Sequence, residues 1–175
     1  MAVDDAAGSC FTLSNGRRLR IRPLRACEAD TIRELYAHLS PRTRYLRFFS
    51  PMPTLPDSVL RLLLDVDQRR RVALVVHQAE GPGEVVGLGS FGAVDADSAE
   101  VGLVVRDDWQ RQGVGTELAT RVLQAAEERG FHRFVAHISS DNEPMRRILR
   151  QIAVVVSAKL SGCVSELVFT RRLTI

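Results

Sequence analysis

The apolar positions along this chain follow two different spacings. In five stretches they recur every three or four residues, which predicts helices, and in the others they alternate or run continuously, which predicts strands. The predicted order is a hairpin, three helices, three strands, a long helix, a strand, a helix and two strands. That order predicts a mixed α/β fold in which helices flank one sheet.

Turn and cap residues mark the boundaries of these elements. Asn15-Gly16 between two extended segments predicts a hairpin turn, and Ser40 with Pro41 predicts the start of a short helix. The helices are expected near residues 32–39, 41–49, 56–64, 115–130 and 142–152, and the strands at 10–13, 17–23, 72–78, 85–94, 100–105, 134–139, 154–160 and 164–171.

Length and composition favour a single folded unit. The first nine residues are small and polar and are predicted to be disordered, whereas residues 10–175 are long enough for one well-buried domain. No apolar run approaches the ~20 residues that cross a bilayer, and the N-terminus lacks a signal-peptide pattern. The expectation is a cytoplasmic protein without membrane association.

The charged, cysteine and histidine residues exclude several kinds of partner. The net charge is +3 with a pI near 9.1, but acidic residues are interspersed and no aromatic-rich basic platform occurs, so nucleic acid is not expected. A weakly basic surface suits an anionic cofactor or an acidic protein partner. The three cysteines and four histidines lack metal-binding spacing, and no metal is predicted.

A glycine-containing segment after the apolar strand at 100–105 is the strongest motif. Gln110, Gly113 and Gly115 form a QxxGxG pattern that opens a predicted amphipathic helix ending at Gly130. The first amides of a helix have no intrahelical partner and lie at the positive end of its dipole. Glycine allows a ligand to approach the backbone, so the segment predicts a phosphate site.

A second glycine pattern competes with this interpretation. Residues 87–92 spell GxGxxG, the dinucleotide-binding fingerprint, which has that meaning only where it ends a strand and opens a helix. No helical spacing follows here, so these glycines are predicted to lie within a strand that another backbone or helix approaches closely.

The strand, the QxxGxG turn and the helix resemble the acetyl-CoA-binding core of the GNAT acetyltransferases. The resemblance implies a GNAT-like fold with a mixed, largely antiparallel sheet, a pantetheine arm lying where the strand at 100–105 splays from the next one, and acetyl-CoA as co-substrate. Asn142 matches the family's asparagine that binds pantetheine, although an ordinary helix cap is an equally good reading. The implied acetyl-CoA-binding residues are Leu103, Val104, Val105, Gln110, Arg111, Gln112, Gly113, Val114, Gly115, Thr116 and Asn142.

The catalytic groups are predicted around the same strand. Glu100, at its start, is the candidate general base, and we expect apolar neighbours to raise its basicity; a plain solvated carboxylate is the alternative. A backbone N–H at or beside Val105 is the candidate oxyanion donor. Many GNAT enzymes have a tyrosine acid at the position of Leu149, so the general acid is unassigned.

The acceptor is suggested by the helical segment before the sheet. Residues 39–49 and 99–101 resemble the Pat-type bacterial protein lysine acetyltransferases, which implies a lysine acceptor, such as one on an AMP-forming acyl-CoA synthetase. A small-molecule amine acetyltransferase is the rival in the same fold. A non-catalytic acyl-CoA-binding sensor module is the rival from another class. An exposed edge near the C-terminal strands is compatible with a homodimer.

Overall fold

The computed structural model describes residues 8–80 and 83–172. Within them the chain forms eight strands and five helices. The strands are β1 Ser9–Thr12, β2 Arg18–Pro23, β3 Arg71–Gln78, β4 Val85–Ala93, β5 Ser98–Val105, β6 Arg133–Ser139, β7 Ala153–Ser161 and β8 Val164–Arg171. The helices are α1 Ala29–Ala37, α2 Pro41–Phe48, α3 Asp57–Leu64, α4 Val114–Glu127 and α5 Glu143–Ile152, and a short 3-10 turn spans Asp107–Trp109.

All eight strands belong to one sheet, in the order β1-β2-β3-β4-β5-β6-β8-β7. Every neighbouring pair is antiparallel except β5 and β6, which are parallel and joined through α4. A parallel pair needs a crossover connection, and α4 supplies it. The mixed, largely antiparallel sheet predicted from the sequence is therefore confirmed.

Two buried cores lie on opposite faces of the sheet. Leu118 and Val122 of α4 pack with Phe91 of β4 in one, while Leu35 of α1 and Leu60 of α3 pack with Val75 of β3 in the other. Apolar spacing on these helices produces the two cores, because each helix buries one stripe against the strands.

The GxGxxG pattern lies inside β4, as predicted, and opens no helix. A Cβ atom on Gly89 would lie 2.8 Å from Cγ2 of Val122 and 3.0 Å from Cδ1 of Leu118. Glycine is therefore required because α4 approaches the backbone of β4 closely.

The predicted strands agree with the observed ones within two residues at every end. The predicted disordered segment ends too late, since Ser9 already pairs with Ile21 in β1; backbone pairing extends the strand beyond the first apolar side chain. Residues 1–7 lie outside the described residues. The long helix ends at Glu127 rather than at Gly130, because a tight turn with Gly130 at φ 89° follows it.

In the described parts of the chain, no helix is both long and apolar enough to cross a membrane. Cys10, Cys27 and Cys163 are free and exposed. No group of three or more histidine, cysteine or acidic side chains suited to a metal ion occurs within 8–80 and 83–172.

Candidate functional site

The parallel strands β5 and β6 separate along most of their length. Their pairing covers only Ser98–Glu100 against Arg133–Val135, although β5 continues to Val105 and β6 to Ser139. On its other edge, β5 pairs with β4 at seven consecutive positions. The sheet therefore contains a wedge-shaped gap that opens beyond Glu100, as the resemblance implied.

The backbone of β5 presents hydrogen-bonding groups to this gap. The N–H of Arg106 donates to Val86 O of β4 at 2.9 Å, so it points away from β6. Successive N–H groups of a strand point to opposite edges. The N–H groups of Leu103 and Val105 are therefore directed toward the gap, which places the predicted oxyanion donor at its wall.

The connection from β5 to α4 is held by side chains of α2. Asp107 accepts hydrogen bonds from Ser40 Oγ at 2.6 Å and from Thr43 Oγ1 at 2.8 Å. Burial raises the pKa of the Asp107 carboxyl, but these hydrogen bonds outweigh that effect, and the net pKa is lowered. Asp107 thus remains an ionised anchor for the loop near neutral pH.

Two glutamines of the predicted motif also fix this loop. Gln110 Nε2 donates to Val105 O at 3.0 Å, and Gln112 Nε2 donates to Asp108 O at 2.9 Å. Their side chains therefore hold the end of β5 and the turn together. Arg111 between them is exposed and has φ 58°.

The structure requires glycine at both positions of the motif. Gly113 precedes α4 with φ 93°, a left-handed conformation that favours glycine. A Cβ on Gly115 would lie 2.9 Å from Cδ1 of Ile148 and 3.8 Å from Cγ2 of Val105. The sequence analysis explained these glycines only by the approach of a ligand to the backbone. That explanation was incomplete, since Gly115 also allows α4 to pack closely against α5 and β5.

The N-terminus of α4 faces the end of β5 at the gap. The first backbone bond of this turn runs from Glu117 N–H to Gly113 O at 3.1 Å. The amides of Val114, Gly115 and Thr116 precede it and have no intrahelical partner. They form a compact donor group at the positive end of a 14-residue helix.

Asn142 and Leu149 lie on the far side of the gap. Asn142 Oδ1 accepts from Met145 N–H at 3.2 Å, which confirms the cap interpretation and leaves its Nδ2 amide outside that bond. Arg42 of α2 lies 3.3 Å from Asp141, so α2 reaches the same loop. Leu149 is buried in the core, and its hydrocarbon side chain has no proton to donate.

Glu100 lies where the gap begins, but its surroundings are polar. Its side chain is 57% exposed, and its Oε1 is 3.3 Å from Nδ1 of His137. The expectation of apolar neighbours was therefore wrong. The reason is that β6 brings a polar side chain to the same sheet face, a contact that strand alternation within β5 cannot reveal.

Sequence reasoning missed Arg47 and His137 beside Glu100. The guanidinium of Arg47 lies over Gly102, where a Cβ would be 2.9 Å from its Cζ. Burial lowers the pKa of Arg47, while the charge of Glu100 raises it. His137 interrupts the apolar run of β6 between Ala136 and Ile138, a signal that could have drawn attention to it.

This arrangement has known relatives. The model of the GNAT acetyltransferase domain matches residues 18–154. An acetyltransferase of Pseudomonas aeruginosa is 30% identical over 138 residues, covering 77% of this chain and 74% of that protein. Acetyltransferase Pat of Mycolicibacterium smegmatis is 30% identical over 144 residues, covering 80% of this chain but 42% of that protein, so the chain spans less than half of it.

Solved structures share the fold. The GNAT domain of the S. lividans protein PAT superposes with a TM-score of 0.85 at 24% identity, covering 97% of this chain and 99% of that one. The yncA protein of Salmonella typhimurium, solved with its cofactor acetyl-CoA, superposes with a TM-score of 0.66 at 21% identity. The match covers 86% of this chain and 91% of that one. The chain belongs to the GNAT acetyltransferase family and is similar to the Pat-type members.

Proposed function

We propose that this chain transfers the acetyl group of acetyl-CoA directly to a lysine side chain of a protein. The observation that carries the proposal is the gap between β5 and β6, which starts at Glu100 and ends at the N-terminus of α4. Along this gap, the proposed base Glu100 and the proposed pyrophosphate site at α4 lie at opposite ends. The proposed catalytic domain spans residues 10–175.

The residues around the gap fit acetyl-CoA. The free amides from Val114 to Thr116 suit its pyrophosphate, and the inward N–H groups of β5 suit the amides of pantetheine. The Nδ2 amide of Asn142, on the opposite side of the gap, is a further proposed hydrogen-bond donor to pantetheine. With the pyrophosphate at α4, pantetheine running along β5 brings the thioester toward Glu100.

Glu100 is the proposed general base. Its carboxylate takes a proton from the acceptor ammonium, and the neutral amine then attacks the thioester carbonyl carbon. A C–N bond forms as the C–S bond breaks and the CoA thiolate leaves; the nitrogen then gives its second proton to water, and the thiolate gains one proton from water. Because Leu149 has no proton to donate, we propose that water rather than a side chain of α5 protonates the thiolate.

A protein acceptor is favoured because the side chain of Glu100 is exposed at the protein surface. A side chain that is 57% exposed on a sheet face can be reached by a lysine projecting from a folded partner. The resemblance of residues 39–49 and 99–101 to the Pat-type protein lysine acetyltransferases implies the same acceptor class, and an acyl-CoA synthetase of the AMP-forming type is the proposed partner.

The first test is calorimetric titration with acetyl-CoA, followed by incubation with acetyl-CoA and a purified AMP-forming acyl-CoA synthetase. We expect acetyl-lysine on the synthetase by mass spectrometry. The variant Glu100→Gln should bind acetyl-CoA normally but lose about 100-fold in kcat, the size expected for removal of a general base.

Three other outcomes would contradict parts of this proposal. Acetylation of small amines but not of the synthetase would mean that the acceptor is a small-molecule amine rather than a protein lysine. Acetyl-CoA binding without transfer to any amine would indicate a sensor module. Unchanged turnover of Glu100→Gln would remove Glu100 from the mechanism.

A further inference from the structure

His137 lies between two carboxylates on the open face of the sheet. Its Nδ1 is 3.3 Å from Glu100 Oε1, and its Nε2 is 3.2 Å from Glu166 Oε2. Strand register explains the alignment: Glu100 pairs with Val135, two residues before His137, and His137 pairs with Glu166. Three neighbouring strands therefore present a continuous row of proton-carrying groups.

We propose that His137 and Glu166 form a proton relay that carries the acceptor's proton from Glu100 to solvent. This inference rests on the proposed role of Glu100 as base. Imidazole suits the position because it accepts a proton at one nitrogen while releasing another from the opposite nitrogen. His137 is then a positioning residue, since it acts through Glu100 and does not touch the substrate.

The steps balance without an additional reactant. An N–H bond of the acceptor ammonium breaks as Glu100 gains a proton. That proton passes to Nδ1 of His137, and the hydrogen on Nε2 passes to Glu166. Glu166 releases its proton to water, and the ring returns to its first tautomer by exchange with solvent.

The exposure of the three groups gives the relay a purpose. A protein docked over the site would cover Glu100, the group nearest the acceptor. Glu100 could then no longer release its proton directly to water. The side chain of Glu166 lies two strands farther along the sheet and is 47% exposed. A proton that leaves through Glu166 avoids the docked surface.

Basic residues flank both ends of the row. Arg47 of α2 faces Glu100 from above Gly102. At the other end, Lys159 of β7 is the register partner of Glu166. A basic side chain therefore belongs to the element next to each terminal carboxylate.

The test compares His137→Gln and Glu166→Gln with the parent enzyme, using acetyl-CoA and the acyl-CoA synthetase as substrates. We expect His137→Gln to lower kcat about 10-fold in dilute buffer, without changing the KM for acetyl-CoA. Added imidazole should restore much of the loss, because it can take the proton from Glu100 on the side of residue 137, which the docked protein leaves uncovered. Glu166→Gln should lower kcat less, since water replaces it.

His132→Gln is the matched control, because His132 is exposed on the turn before β6 and outside the row. It should leave kcat and the imidazole response unchanged. Thermal unfolding checks that each variant folds, and Glu166→Gln tests the relay from its outer end should His137→Gln be unstable.

The relay and the proposed function fail in different ways. Full turnover of His137→Gln alongside a large loss in Glu100→Gln overturns the relay and keeps the base. A lower kcat in His137→Gln that imidazole does not restore also overturns it, since the ring then only holds Glu100 in place. Normal turnover of Glu100→Gln removes the base and the relay together.

Discussion

The sheet has two unlike halves that meet at β5. On one side, β3 and β4 are buried on both faces between α4 and the helices α1 and α3. On the other side, β7 is exposed at eight of its nine positions, and the face that carries Glu100, His137 and Glu166 is open. The comparison indicates that the covered half contributes stability through its buried core. The open half instead leaves ionisable side chains accessible from solvent.

Two glutamates illustrate the difference. Glu28, beside the covered half, is 11% exposed and forms two hydrogen bonds with the Arg22 guanidinium, at 2.7 and 2.8 Å. Those bonds lower the pKa of Glu28 to about 2. Glu100 belongs to the open half, where its carboxylate faces a histidine and solvent. The same kind of side chain is a fixed ion-pair partner in one half and an exposed carboxylate, the proposed base, in the other.

The largest stability change is expected from Gly89→Leu in the covered half. The new side chain would collide with Val122 and Leu118 of α4, and overpacking of this kind costs about 3 kcal/mol. Urea unfolding would measure it. Gly92→Ala is the control, since a Cβ there has no neighbour within 4 Å, and an equal loss in both variants would contradict the packing argument.

The next effect is expected from Glu28→Gln, which should lower the free energy of unfolding by about 2 kcal/mol at pH 7. Because the folded-state pKa is below the ordinary 4.5, the stabilisation is fully present above pH 4.5 and is lost as pH falls toward about 2. Unfolding of both proteins across that range should show the difference shrinking on acidification. A constant difference would mean that the ionisation of Glu28 does not contribute.

At the boundary between the halves, Gly113→Glu should weaken acetyl-CoA binding by roughly 10- to 100-fold, since hydrogen bonds to charged groups contribute about 1.5–3 kcal/mol. Gly130→Glu is a close control, because it also changes a glycine with positive φ, 89° against 93°, but at the other end of α4. Calorimetry on the folded variants separates the two. Equal affinities would remove the α4 N-terminus from the site.

The smallest effect is expected in the open half. Val156→Thr changes a side chain that is 60% exposed in β7, so the free energy of unfolding should shift by less than about 0.5 kcal/mol. A loss above 1 kcal/mol in chemical denaturation would show that this valine is covered in solution.

Much of the fold could be predicted because its signals are local. Ser40 and Pro41 begin α2 as their cap chemistry requires, and the apolar runs locate every strand within two residues. The turn proposed to bind phosphate was also recognisable, because strand, glycines and helix are contiguous in the chain. The surroundings of Glu100 were not, since His137 and Arg47 are 37 and 53 positions away and reach it only through sheet pairing and helix packing.

The sequence by itself determined which segments form strands and helices, where α4 begins, and which family the chain resembles. Each of these depends on side chains within a few positions of one another. Tertiary structure decided that β5 and β6 separate beyond Glu100, that Gly115 accommodates Ile148, and that Glu100 faces an imidazole. These features depend on how distant strands and helices pack, and such contacts leave no periodic trace along the chain.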